Sequence, residues 1–228
     1  MMASVFRTGF LAAAAVTVCG AVTGRDRWQW AAKPLLMPLL AAEVARDPKL
    51  AATDRKLLLG SLAAATVGDV LLIDPDDDRR LIAGASSFAL MQTGYATLWR
   101  RRGARPRAAV AAPRVGAWLG AAALMRAKAP TVALPLTAYG ATLGTAAVLA
   151  SDPELAPGAR NIAGLNIPNS DPRSRLGVGA LLFTLSDGLI VLRRIFARSS
   201  RSRRVSEGVI LATYAGAQYL LADPRAHR

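Results

Sequence analysis

Apolar stretches recur along this chain roughly every 20–30 residues, each bounded by charged or turn-forming residues. Each is about as long as a helix needs to cross some 30 Å of hydrocarbon. The pattern predicts spans over about 5–23, 30–46, 56–73, 80–99, 109–125, 130–149, 175–194 and 205–222. The first resembles a signal peptide, but Val18 before Cys19 does not suit cleavage, so it is taken as a span. Lys33-Pro34 is predicted to open the second span, because proline suits a first helical turn. Pro38, one turn on, predicts a kink there. The third span ends in the polar turn Asp74-Pro75-Asp76-Asp77-Asp78, and the fourth in Trp99 and Arg100, an interfacial anchor. Residues 151–174 carry Pro, Asn, Asp and Gly without helical periodicity and read as a long polar loop. The predicted fold class is an all-α polytopic membrane protein of about eight transmembrane helices, a single integral membrane domain over residues 1–228.

Composition supports this. Apolar residues make up 53% of the chain, and the net charge of +14 comes almost entirely from arginines between apolar runs. At membrane boundaries such charges meet anionic lipid headgroups, so nucleic acid is not expected as a partner. The basic residues divide nearly evenly between the two sides, and the positive-inside rule gives no orientation. Cys19 is the single cysteine and His227 the single histidine, the latter expected in a frayed tail. An intramolecular disulfide, a thiolate cluster, a histidine metal site and a Ser-His-Asp triad are thereby excluded. The chemistry left belongs to carboxylates, lysine, tyrosine, amides and hydroxyls.

Two carboxylates interrupt the apolar runs. Thr66-Val67-Gly68-Asp69-Val70-Leu71 and Thr184-Leu185-Ser186-Asp187-Gly188-Leu189 share the frame Thr-x-[Gly/Ser]-Asp-x-Leu. A carboxylate in hydrocarbon costs about 2.5–3.5 kcal/mol on insertion scales, which marks both as functional candidates. Phe88-x-x-x-Gln92 is echoed by Tyr214-x-x-x-Gln218, and Lys33-Pro34 loosely by Lys128-x-Pro130. The order of these echoes suggests two four-helix repeats, 1–102 and 103–228, of the same orientation. With eight alternating spans, Lys33, Asp69 and Asp187 fall in the half facing loops one, three, five and seven. Gln92, Tyr139, Tyr214 and Gln218 are expected to enter from that side and to meet them at one depth, in a cavity with Lys33 near its mouth.

The motifs Lys33-Pro34-Leu35, Gly68-Asp69-Val70-Leu71-Leu72, Phe88-x-x-x-Gln92-x-x-Tyr95, Ser186-Asp187 and Tyr214-x-x-x-Gln218 resemble, in order, those of the YhhN family. That family includes lysoplasmalogenases. The chain departs from it at Gln92, where the family usually carries histidine. The resemblance implies hydrolysis of the vinyl ether of a lysophospholipid, giving a fatty aldehyde and a glycerophospho-base, with no cofactor and no metal. It implies a cell-membrane location.

The slow step of that reaction is proton delivery to the vinyl carbon, which leaves an oxocarbenium-like cation. Glycosidases meet a similar cation with paired carboxylates, one donating a proton and one ionised. Asp69 and Asp187 are the expected catalytic pair. Lys33 is expected to hold one aspartate ionised, to bind the lipid phosphate, or to snorkel to headgroups. Gln92, Tyr95, Tyr139, Tyr214 and Gln218 are expected to line the substrate and water site. Two other classes stay open: a small transporter, since intramembrane carboxylates and helix-breaking prolines also serve carriers, and a non-catalytic lipid-binding membrane protein.

Overall fold

Prolines decide how the second span is built. Pro34 and Pro38 both lack a backbone N–H, so the helical ladder loses two donors one turn apart. The chain forms α2 (Asp26–Ala32), a 3-10 turn at Lys33–Leu35 and then α3 (Leu36–Arg46). Lys33-Pro34, expected as a helix start, is instead the break within a helix that begins at Asp26. Lys33 lies inside it at 4% exposure, so it does not snorkel from an end.

The structure, a computed structural model, describes residues 2–73, 76–162 and 164–228; Asp74 and Pro75 of the predicted polar turn lie outside them. The described helices are α1 (Met2–Thr23), α2 and α3 as above, α4 (Ala52–Leu71), α5 (Asp78–Arg101), α6 (Ala108–Lys128), α7 (Pro130–Ala150), α8 (Leu176–Phe196) and α9 (Ser200–Leu221). The Asp77 carboxylate caps α5 by accepting from Arg80 N at 3.0 Å, and Ser199 Oγ caps α9 by accepting from Ser202 N at 3.1 Å. Pro130 opens α7 at its first turn, where a missing donor costs nothing.

The chain is an all-α membrane protein. Val5–Thr23, Ala108–Lys128, Pro130–Ala150 and Pro172–Phe196 are long and apolar enough to cross a membrane. Helices α4, α5 and α9 have the length but carry more charge, and α3 is only 11 residues long.

Neighbouring helices close a circuit that runs α1–α3–α4–α5–α7–α8–α9 and returns to α1. Helix α6 stands outside it, packed along α7 and touching α8 only lightly. Small residues set the tightest approaches. A Cβ at Gly94 would lie 2.1 Å from Ser61 Oγ across α4–α5, and one at Gly208 would lie 2.3 Å from Val22 Cγ2 across α1–α9. Buried hydroxyls tie the two main hairpins: Ser87 Oγ donates to Ala64 O at 2.7 Å, and Ser186 Oγ to Ile210 O at 3.0 Å.

The segment expected as an irregular loop after α7 is partly ordered. It holds a 3-10 turn at Pro153–Leu155, the short antiparallel pair β1 (Asn161–Ile162) and β2 (Leu165–Asn166), and a 3-10 turn at Pro172–Arg175. The chain end is not frayed either. His227 is fully buried in a 3-10 turn at Pro224–His227, its Nε2 donating to Leu221 O at 2.7 Å. Arg102 donates to the carbonyls of Ala226 and His227, and Arg228 pairs with Asp47 at 2.6 Å. Burial acts to raise the Asp223 carboxyl, but Arg225 and Arg7 hold it below the usual range. Ion pairing with neighbouring elements outweighs the fraying expected of a terminus.

Candidate active site

Each of the two carboxylates that interrupt the apolar runs meets a tyrosine from another helix. Asp69, near the end of α4 and 1% exposed, accepts a hydrogen bond from the Tyr214 hydroxyl of α9 at 2.9 Å. Asp187, midway along α8 and half-buried, accepts one at Oδ2 from the Tyr139 hydroxyl of α7. Phenol donors of this kind give a carboxylate in an apolar setting the charge-assisted bond that lipid cannot supply.

The Asp69 pair continues away from the carboxylate. Gln218, one turn beyond Tyr214 on α9, directs its Nε2 at the Tyr214 oxygen at 3.5 Å and at Met91 Sδ at 3.0 Å. Its Oε1 accepts from the Tyr95 hydroxyl of α5 at 3.0 Å. This line of hydrogen bonds, Tyr95–Gln218–Tyr214–Asp69, crosses the helix circuit from α5 through α9 to α4.

Two spaces adjoin the carboxylates. A small cavity of about 30 Å³ is lined by both Asp69 and Asp187, with Lys33, Tyr214, Arg193 and Glu207. That is room for one or two waters among groups able to hold them. Lys33 Nζ donates to Leu72 O at 2.9 Å, so its ammonium sits at the carbonyl end of α4. Arg193 lies 3.1 Å from Asp76 and 3.3 Å from Glu207, and these ion pairs stand at the cavity's outer end.

The second space is a slot of about 610 Å³ between α6, α7 and α8, with part of α5 in its wall. Its lining is overwhelmingly apolar, and Asp187, Tyr139 and Arg114 are its ionisable members. Asp187, Phe88, Leu72 and Ile190 line both spaces, so they form the partition between slot and cavity. Phe88 is held edge-on by Phe183 and Tyr214, with ring centroids 5.9 and 5.8 Å away.

Of the residues singled out in the sequence, Asp69, Asp187, Lys33, Tyr139 and Tyr214 line one or both spaces. Tyr95 and Gln218 do not; they lie behind Tyr214 and act on Asp69 only through it. Gln218 therefore does not share the depth expected for it with Tyr214 and the aspartates, because the helix carries it a full turn past Tyr214. Gln92 is 2% exposed beside Tyr139, and its buried Nε2 makes no well-formed hydrogen bond among the described residues. Arg193, Glu207 and Arg114 were not foreseen as site residues. Arg193 opens a basic stretch that reads as boundary charge and Glu207 falls at the start of the predicted span 205–222, and only the packing of α8 on α9 turns them inward. Among the described residues, no three His, Cys, Asp or Glu side chains converge as a metal site requires.

Broken and proline-bearing helices around two aspartate–tyrosine pairs, with an apolar slot alongside, define a polytopic α-helical membrane protein with an internal polar site. The YhhN family profile matches residues 28–224, and the chain belongs to the YhhN family. Comparison with curated proteins and with solved structures gave no match.

Proposed function

We propose that this YhhN-family member is a lysoplasmalogenase-like hydrolase. It cleaves the vinyl ether of a single-chain phospholipid within the cell membrane. Eight spans cross that membrane, the α2–α3 pair acting as one broken span and the α1–α5 and α6–α9 halves as repeats. The observation that carries the reading is the position of Asp187, between an apolar slot of about 610 Å³ and a water-sized polar cavity shared with Asp69. An alkenyl chain suits the slot and a hydrolytic water suits the cavity.

In this reading Asp187 is the acid. Tyr139 occupies Oδ2, which leaves Oδ1 to carry the proton. Transfer of that proton to the vinyl carbon remote from oxygen leaves an oxocarbenium ion at the carbon bonded to oxygen. A water in the small cavity adds to that carbon and gives up a proton to Asp69, whose charge Lys33 and the Tyr214 hydroxyl support. The resulting hemiacetal passes its hydroxyl proton to the glycerol oxygen as that C–O bond breaks, releasing a fatty aldehyde and the glycerol hydroxyl, and the proton on Asp69 returns to Asp187 through the cavity they share. One water is consumed, and no oxidant or reductant is needed. The anionic headgroups of neighbouring lipids meet the exposed arginines at the helix ends.

The test is turnover of a 1-alkenyl lysophospholipid by the purified protein in D₂O, with the aldehyde analysed by mass. Rate-limiting protonation at carbon places one deuterium on the carbon next to the aldehyde and slows the reaction relative to H₂O. A transporter or an inactive lipid-binding protein releases no aldehyde at all.

A further inference from the structure

One charged group on the slot wall has no part in the chemistry above. Arg114, early in α6, lines the slot at the end covered by the β1–β2 hairpin. Its guanidinium donates to Val110 O at 2.7 Å and to Ser151 Oγ at 2.9 Å, both neutral oxygens. Other arginines differ: Arg107 and Arg102, at the same end of the fold, each face a carboxylate at 2.8–3.0 Å. A half-buried guanidinium beside apolar walls carries a desolvation cost that two neutral acceptors offset poorly. The opposite end of the slot is apolar, formed by Leu72, Leu81, Ile190 and Val191. Asp187 and Tyr139 lie between the two ends. Counting from the starts of α6 and α8, Arg114 lies about five residues, on the order of 7 Å, nearer the hairpin end than Asp187.

We propose that Arg114 binds the phosphate of a single-chain phospholipid and so sets its direction in the slot. This rests on the reading of Asp187 as the group that reacts. The headgroup lies at the hairpin end, the ether bond beside Asp187, and the chain runs toward Leu72 and Leu81. Leu181 lines the slot and is itself half exposed, so the slot opens along α8 toward the bilayer, where such a lipid resides. Lys33 cannot take this part. It is 4% exposed and opens onto a cavity of about 30 Å³, too small for a phosphate and its base. Arginine is the side chain best matched to phosphate, through two parallel N–H donors.

The test is binding, separate from turnover. A saturated 1-alkyl lysophosphocholine, which cannot be cleaved, is compared with the 1-alkylglycerol of equal chain length, using the purified wild type and Arg114→Gln in nanodiscs. Trp118, one turn beyond Arg114 and also on the slot wall, reports occupancy through quenching by a brominated chain, with Trp118→Phe as the blank. The wild type should favour the phospholipid by about ten- to a hundredfold, the worth of a hydrogen-bonded charge pair. Arg114→Gln should lose that preference and keep its hold on the alkylglycerol, and bromine near the glycerol should quench Trp118 more than bromine at the chain end. Equal wild-type affinities, a preference that survives in Arg114→Gln, or stronger quenching from the chain end would each overturn the proposal. If Arg114→Gln does not fold, the wild-type preference and the bromine position still decide it. Arginine-dependent binding without vinyl ether cleavage would sink the hydrolase reading and leave this one standing.

Discussion

Two glycines on α4 separate helix propensity from packing at the partition between cavity and slot. Gly60 faces open space, with nothing within 4 Å of a Cβ built on it. A Cβ on Gly68 would lie 2.7 Å from Phe88 Cε2 and 2.9 Å from its Cδ2. Phe88 has little freedom to retreat, since Phe183 and Tyr214 hold it edge-on and Tyr214 is itself bonded to Asp69. Replacing either glycine by alanine gains up to about 1 kcal/mol of helix propensity. That gain is common to both variants and cancels in their difference. What remains is the overpacking at Gly68, about 1–3 kcal/mol. Gly60→Ala should therefore be neutral or slightly stabilising in a thermal melt in detergent. Gly68→Ala should melt several degrees lower and lose turnover, because a displaced Phe88 pushes Tyr214 from Asp69. Phe88→Leu introduced beside Gly68→Ala should restore part of the melting temperature. Equal melting of the two alanine variants, or no rescue by Phe88→Leu, would refute the packing argument.

Three further outcomes follow from the polar network. Tyr214→Phe and Tyr139→Phe each remove the phenol donor from a carboxylate, worth about 1.5–3 kcal/mol, so kcat/KM for aldehyde release should fall about ten- to a hundredfold. Tyr95→Phe, two bonds further from Asp69, should cost less than either. Gln92→His should raise turnover, since imidazole exchanges a proton that an amide cannot, and the gain should change across the pH range in which that imidazole titrates; an unchanged rate across pH would make Gln92 an orienting group only. His227 provides a stability test at the chain end, because burial pushes its imidazole down from 6.5 to about 4. A depressed folded value means the unfolded chain binds the proton first. His227 then costs nothing above pH 6.5 and destabilises progressively down to about pH 4, by about 3 kcal/mol at most. Melting temperature should drop across that window and drop less in His227→Gln; identical pH slopes would contradict the buried neutral imidazole.

The helix positions and both aspartates were readable in the sequence for one reason, the cost of charge in hydrocarbon. That cost makes apolar runs long and their interruptions conspicuous. It does not say which way a proline acts. Pro34 suits a helix start as well as a break, and only the seven helical residues before Lys33 decide between them. Depth along a span was readable to about a turn, which sufficed for Asp69 and Tyr214 but not for Gln218. His227 looked frayed because sequence position alone carries no trace of the Arg102 and Asp47 contacts that pin the tail. The slot, with Arg114 on its wall, depends on α6 leaning on α7 outside the helix circuit. No local pattern encodes that arrangement, and the same holds for Arg193 and Glu207 at the small cavity.

The pairing of Asp69 and Asp187 as base and acid is the central claim, and single-residue amide replacement tests it most directly. Aldehyde release from a 1-alkenyl lysophospholipid would be measured for wild type, Asp69→Asn and Asp187→Asn, with a melt and size-exclusion profile confirming that each variant folds. Asparagine keeps the size and polarity of the side chain but neither donates a carboxylic proton nor accepts one as a base. The wild type should release aldehyde, and each folded variant should release it at least about 10²-fold more slowly. Near wild-type release by either variant, or none by the wild type, would contradict that pairing.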